Sequence, residues 1–385
     1  MATLRAGIIG LNGIAVRHVM DIEAHEELRL GAVCDTDTEL GVRWQGEHDA
    51  PWYKDYRDIN RSEHCDFVIV ALPHYLHAEV ACDALEAGKP VIIQKPMCIT
   101  VEEADRIIAT AQRTGTKVAT FHTAHLVERD ARDLIDQGVV GDVLRVHYAR
   151  HEARSVAYYG TGPWRGHWAT EGGGMLTNQY IHDLNRLHYL CGPVAEVVSC
   201  TLANVGHPGI EVEDACTAVV RFANGAYGEL CLGLYSQPGL SGYEIVGDRG
   251  CIVKRGDDQR YARMSIPLTE YLHNPTPAPR QPGSSLADAA RPEATWQAIP
   301  PVAEHRDPVA EFARAISDDT PPYAPPEFAR RDIELMCALY MAHFRRQAVQ
   351  IPVPRAAYTA LLRDLAAGKY PSLAWPGPGH RISGH

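Results

Sequence analysis

The stretch Leu4 to Ala15, LRAGIIGLNGIA, constrains this chain more than any other. An apolar run, Ala6 to Ile9, stops at Gly10, and a helix-compatible segment resumes at Ile14. Strand, tight glycine turn and helix in that order aim backbone amides and a helix N-terminus at a dinucleotide pyrophosphate. The spacing is Gly10-x-Asn12-x-x-Ala15, so Asn12 replaces the middle glycine of the fingerprint. Asn is the commonest non-glycine residue at positive φ, and it is expected to keep the turn in that way. Gly10, Asn12, Gly13 and Ile14 are the expected phosphate-side contacts. Taken alone, the turn equally fits glycines that serve packing.

The following segments repeat the strand–helix alternation. LRLGAVCD predicts a second strand ending at Asp35, 25 residues beyond Gly10, near the ~20 expected for an acid on the adenosine ribose. Asp35 and Asp37 put negative charge where a 2′-phosphate would lie, which favours NAD over NADP. CDFVIVALP predicts a third strand running into Leu72 and Pro73, then a helix carrying His77. GKPVIIQKP predicts a fourth, closed by Gln94, Lys95 and Pro96. KVATF predicts a fifth, leading to His122. Thr100-x-x-Glu103 is a capping box for the helix between them. This pattern implies a doubly wound parallel sheet with its ligand at the strands' C-terminal ends.

Beyond residue 126 the alternation changes to period two. VLRVHYARHEA, VAEVVSCTLA, ACTAVVRFANGAYGELCLGL and GYEIVGDRGCIVKR read as strands of a mostly antiparallel, open sheet, with Asn224-Gly225 as a hairpin turn. The fold class is therefore α/β: a Rossmann domain over residues 1–126, an α+β domain over 127–354 and a tail over 355–385. Eight prolines between Pro267 and Pro301 suggest a surface loop or an arm against a neighbouring subunit. Net charge is −11 with no basic cluster, which argues against nucleic acid or an anionic membrane as partner. No apolar run suits a membrane span or a secretory signal, and the ten cysteines form no C-x-x-C pair, so a cytoplasmic location is expected. The histidines show no metal-ligand spacing, and no metal is expected.

These motifs in order (GIIGLNGIA, AVCD, ALPHYLH, GKPVIIQKP, EGGGMLTNQYIHDLN and ELMCALYMAHFRRQAVQIP) resemble the Gfo/Idh/MocA family of sugar and cyclitol oxidoreductases. The resemblance implies that Lys95 matches the lysine of the family's E-K-P motif and His182 its catalytic histidine. Gln94, Asn178 and Asn185 stand where the family has acids. A helix from Thr177 would put Asn178, His182 and Asn185 on one face as a cleft wall; a solvent-facing polar stripe is the plainer alternative. Substrate contacts are expected from His122, Trp164, Arg165, Asn178 and His182, although Arg165 would serve equally as a loop anchor. His77 is either near the cofactor or an exposed helical histidine.

In the implied chemistry His182 takes the hydroxyl proton of a cyclic sugar or cyclitol, Lys95 supports the oxygen and Asn178 orients them. Lys95 and His182 can exchange roles. The enzyme would be an NAD-dependent dehydrogenase or ketoreductase, assembled as a homodimer or homotetramer. The alternative is a catalytically silent dinucleotide-binding regulator, which the missing carboxylates leave open.

Overall fold

The computed structural model describes residues 3–276, 291–300 and 307–374. The first sheet holds six parallel strands: β1 Leu4–Ile9, β2 Leu28–Cys34, β3 Trp52–Tyr53, β4 Phe67–Val70, β5 Val91–Ile93 and β6 Val118–Thr120. Their order is β3-β2-β1-β4-β5-β6. Five of these are the expected strands. The two-residue β3 gives no periodicity to read and is an addition. Alternation sends Val68, Val70, Val91 and Ile93 into one buried cluster, and Ile8, Phe67, Ile69 and Ile92 into another. Thr100 and Glu103 form the expected capping box on the helix Val101–Thr114.

The second sheet has nine strands: β7 Val143–His151, β8 Val194–Ala203, β9 Ala215–Phe222, β10 Tyr227–Gly233, β11 Gly242–Gly247, β12 Gly250–Arg255, β13 Asp258–Met264, β14 Ala294–Ala298 and β15 Val349–Gln350. They run β14-β13-β12-β11-β7-β10-β9-β8-β15, antiparallel except for β10 with β7. Helices Ile181–Cys191 and Pro326–Arg345 cover one face, and the latter also packs on the helix Val101–Thr114 of the first domain. On the other face Val219, Cys231, Val246 and Val253 are only half-buried and Tyr227 is 52% exposed.

Two expectations shift. Residues 308–317, placed with the second domain on sequence, form a helix that packs against the first sheet. Asp307 caps it through the amides of Val309 and Ala310, and Phe312 meets Phe67 edge-on. Within the proline-rich stretch, Leu268–Leu272 is helical and Ala294–Ala298 is the edge strand β14. Residues 277–290 and 301 of that stretch, and residues 375–385 of the expected tail, lie outside the described residues. Among the described residues no helix is long and apolar enough to cross a membrane, and no group of His, Cys, Asp and Glu is arranged to hold a metal ion.

Candidate active site

Gly10, Asp35, Leu72, Lys95 and His122 lie one or two residues beyond strand ends, so the parallel sheet gathers them at one edge. Gly10 has φ +95°, and a Cβ there would lie 2.4 Å from the carbonyl oxygen of Ala71. No other residue type fits that approach. Gly13 has φ +56° and faces open space. Asn12 is not in the left-handed region, contrary to the sequence reading; the turn's positive φ angles belong to the flanking glycines. Asn12 is an exposed residue whose carbonyl accepts from the Ala15 amide.

The helix Ala15–Glu23 begins at Ile14 with no side-chain cap, and Ile14 is 45% exposed. The Ala15 and Arg17 amides bond the carbonyls of Asn12 and Ile14, and no side chain caps this end of the helix. The Asp35 carboxylate accepts from the amides of Leu11 and Asp37 at 2.9 Å each. Two of its roughly four acceptor positions remain for a ribose diol. Asp37 has its own duty, capping the helix Thr38–His48 through the amides of Glu39 and Leu40. Glycine cradle, uncapped helix start and ribose acid together fit a dinucleotide.

Lys95 lies two residues beyond β5, and its Nζ donates to both the backbone oxygen and Oδ1 of Asn178, each at 2.8 Å. Burial, with Arg165 next, pulls its pKa down to about 8. The Asn178 amide nitrogen donates to Glu171 Oε1 at 2.6 Å and Tyr158 Oη at 3.1 Å, which turns Oδ1 toward the lysine. Glu171 is buried, and its other oxygen accepts from the Gly166 amide at 2.6 Å. Gln94 does not meet the Lys95 ammonium: its Oε1 accepts from the Lys95 backbone amide at 3.2 Å and its Nε2 faces His18 Nε2 at 2.8 Å, where burial pulls the His18 pKa down to about 4.

The helix bearing His182 starts at Ile181, so Asn178 lies in the turn before it and the expected three-residue stripe does not form. Asn185 is fully buried and donates to Asp332 at 2.8 Å. That same carboxylate holds His188 at 2.7 Å and lies 3.4 Å from His122 Nε2. His182 meets His122 edge-on, ring centroids 6.1 Å apart, and its buried Nδ1 has no hydrogen-bond partner among the described residues. Burial, then Lys95 and His122, push its pKa well below the ordinary value.

His77 is not near solvent. It is fully buried and bridges the carbonyls of Pro96 and Leu72, each at 2.7 Å, pinning the chain on both sides of the site. Pro73 caps the short turn His74–Leu76. Trp164 packs on His74, whose Nδ1 lies 2.9 Å from the Glu171 carbonyl. Trp168, by contrast, is buried against Tyr340 and Phe344.

Two family models match the chain. One describes an oxidoreductase family with an NAD-binding Rossmann fold, over residues 4–122; the other, a GFO/IDH/MocA C-terminal domain, over 129–253. This chain belongs to the Gfo/Idh/MocA family. Relatives include the 2,7-anhydro-N-acetylneuraminate hydratase of Mediterraneibacter gnavus, 28% identical over 60% of this chain and 61% of that protein. Another is the 1-carboxy-3-chloro-3,4-dihydroxycyclohexa-1,5-diene dehydrogenase of Comamonas testosteroni, 28% identical over 70% of this chain and 67% of that one. Both alignments thus span about two thirds or less of the relative. Among solved structures, the WlbA dehydrogenase of Bordetella pertussis in complex with NADH and UDP-GlcNAcA superposes with a TM-score of 0.74. It is 21% identical, covering 91% of this chain and 100% of that one, and shows the shared fold.

As a Gfo/Idh/MocA protein the chain carries the NAD-binding Rossmann domain of an oxidoreductase family. Its replaced acids leave Glu171 and Asp332 as the carboxylates nearest Lys95 and His122. Sequence reasoning missed both, together with Tyr158. Glu171 stood at the head of the EGGG motif, which was the one available signal. NAD should bind on the order of 100-fold more tightly than NADP if Asp35 takes the ribose diol, since no Arg or Lys follows closely to receive a 2′-phosphate. Titrating both cofactors against protein fluorescence checks this; equal affinities would remove Asp35 from the ribose.

Proposed function

We propose that this protein is an NAD-dependent dehydrogenase acting on a secondary alcohol of a cyclic sugar, sugar derivative or cyclitol. The observation that carries the reading is the Lys95–Asn178 pair. A neutral lysine amine has two N–H donors and one lone pair. Asn178 takes both donors. The lone pair is left to accept a substrate hydroxyl proton, and once protonated the same position becomes a donor to that oxygen. Bound NAD would supply the hydride acceptor at its nicotinamide C4. Gly10, Gly13, Ile14 and Asp35 would hold it, with Leu72 and Pro73 lining the strand ends.

The sequence reading gave proton acceptance to His182. The surroundings favour the exchange of roles, because a histidine with its pKa well below the ordinary value is a weak base. His182 then serves as a neutral hydrogen-bonding partner of the substrate, its ring set by His122. The test is a panel of sugars and cyclitols offered with NAD, read at the absorbance of NADH. Tight NAD binding without turnover on any member would favour the silent regulator instead.

Lys95 also sets the expected pH dependence. With its pKa drawn down to about 8, kcat for alcohol oxidation should rise with pH and level off above that value. A profile flat from pH 6.5 to 9.5 would exclude Lys95 as the proton acceptor.

The open face of the nine-stranded sheet supports a homo-oligomer, a second copy covering the half-buried valines. Light scattering at micromolar concentration should give a dimer or tetramer mass; a monomer would refute it.

A further inference from the structure

Arg165 lies against two aromatic rings. Its guanidinium carbon is 4.3 Å from the Trp164 ring centroid and 4.5 Å from that of Tyr158. Trp164 is itself packed on His74 at 4.7 Å. These contacts hold the apolar faces and leave N–H groups of the guanidinium edge for hydrogen bonding. Of its five N–H groups, one donates to Tyr158 Oη, and no other hydrogen bond from this side chain is recorded among the described residues.

The nearest carboxylate pairs with it only loosely. Glu171 Oε1 is 4.0 Å from the guanidinium, and the carboxylate is bonded at 2.6 Å to Asn178 and to the Gly166 amide. The neighbouring cations are held more closely. Arg150 and Arg154 both pair with Glu152, at 3.2 and 3.1 Å. Arg165 is therefore a four-fifths-buried cation with one long carboxylate contact. It is linked to Lys95 through Tyr158 or Glu171 and then Asn178. Loop anchoring explains the contact with Tyr158 but not the free edge.

We propose that Arg165 is a specificity residue that receives a carboxylate of the substrate, so that the substrate is an acidic sugar or cyclitol rather than a neutral one. A planar fork matches a planar carboxylate through two parallel N–H···O bonds. A phosphate carries more charge than one guanidinium fork balances, so the phosphates are the contrast in the test. The inference rests on the sugar-oxidoreductase reading above, but its test reads binding rather than turnover, so the two fail separately.

The experiment is isothermal titration of NAD-saturated protein with matched sets: glucose, galactose and mannose; their uronic acids; and their 6-phosphates. At least one uronate should bind ten times or more tighter than its neutral partner and than its phosphate. Arg165→Met should abolish that ratio. If Arg165→Met fails to bind NAD, and so fails the check on folding, Arg165→Lys decides: it keeps the charge but loses the fork, and the ratio should fall at least threefold. The proposal is overturned if neutral sugars bind as well as uronates, if no uronate binds, or if the phosphates bind best. It is equally overturned if the folded variant keeps the wild-type ratio.

Discussion

Lys95→Met should lower kcat by about 10²–10⁴ while leaving NAD affinity nearly unchanged, the usual share of a general acid–base group. Methionine keeps the length and apolar volume of the buried stem but offers neither proton nor lone pair. It leaves the two Asn178 oxygens without the donors they now share. His182→Ala should also slow turnover, yet only the lysine variant should remove the rise of rate with pH. Steady-state kinetics and NAD titration on the same preparations separate the two. A Lys95→Met enzyme with near-normal turnover would end the proposed proton path.

Glu213→Ala should destabilise the protein by about 3–5 kcal/mol, read from urea unfolding. This carboxylate is fully buried and touches no expected ligand. One oxygen accepts from the Leu176 amide at 3.0 Å and from Tyr340 Oη at 2.8 Å; the other accepts from the Gly174 amide at 3.0 Å. Truncation would leave the Leu176 amide unmet, the Gly174 amide with only Tyr340 Oη at 3.3 Å and the Tyr340 hydroxyl with only Thr177 Oγ1 at 3.0 Å. Burial pushes its pKa from 4.5 up to about 7. The folded state therefore holds this proton more tightly than the unfolded chain, and the associated stability is lost as pH rises from about 4.5 through 7. Glu213→Ala should flatten that slope as well as lower the whole curve. An unchanged urea midpoint would show that the triple-glycine segment is held by other contacts.

The parallel sheet was legible because strand and helix periods alternate and each strand ends on a recognisable residue. Gly10, Asp35 and Lys95 could be placed by sequence order alone. The errors share one cause, the reach of side chains across the fold. Asn12 looked like the turn's left-handed residue because the fingerprint assigns one there, whereas Gly10 and Gly13 carry the turn. His77 reads equally as a cofactor neighbour or an exposed helical histidine because nothing local reveals the two carbonyls that bury it. The helix was started at Thr177 because 178, 182 and 185 are correctly spaced, but the residues before Ile181 are held by Glu213, far along the chain. Glu171 and Asp332 escaped notice because their importance appears only through partners: Asn178 and Tyr158 in one case, Asn185, His188 and His122 in the other.

The helix Pro308–Ser317 has a consequence for synthesis. It seals the face of the first sheet formed by Ile8 and Phe67, yet it is encoded nearly two hundred residues after the last strand of that sheet. A ribosome needs on the order of ten seconds or more to make that intervening length. Throughout that interval the nascent Rossmann domain presents an uncovered apolar surface, and the intervening nine-stranded domain begins folding beside it. Completion of the nucleotide-binding half thus waits on the far end of the message.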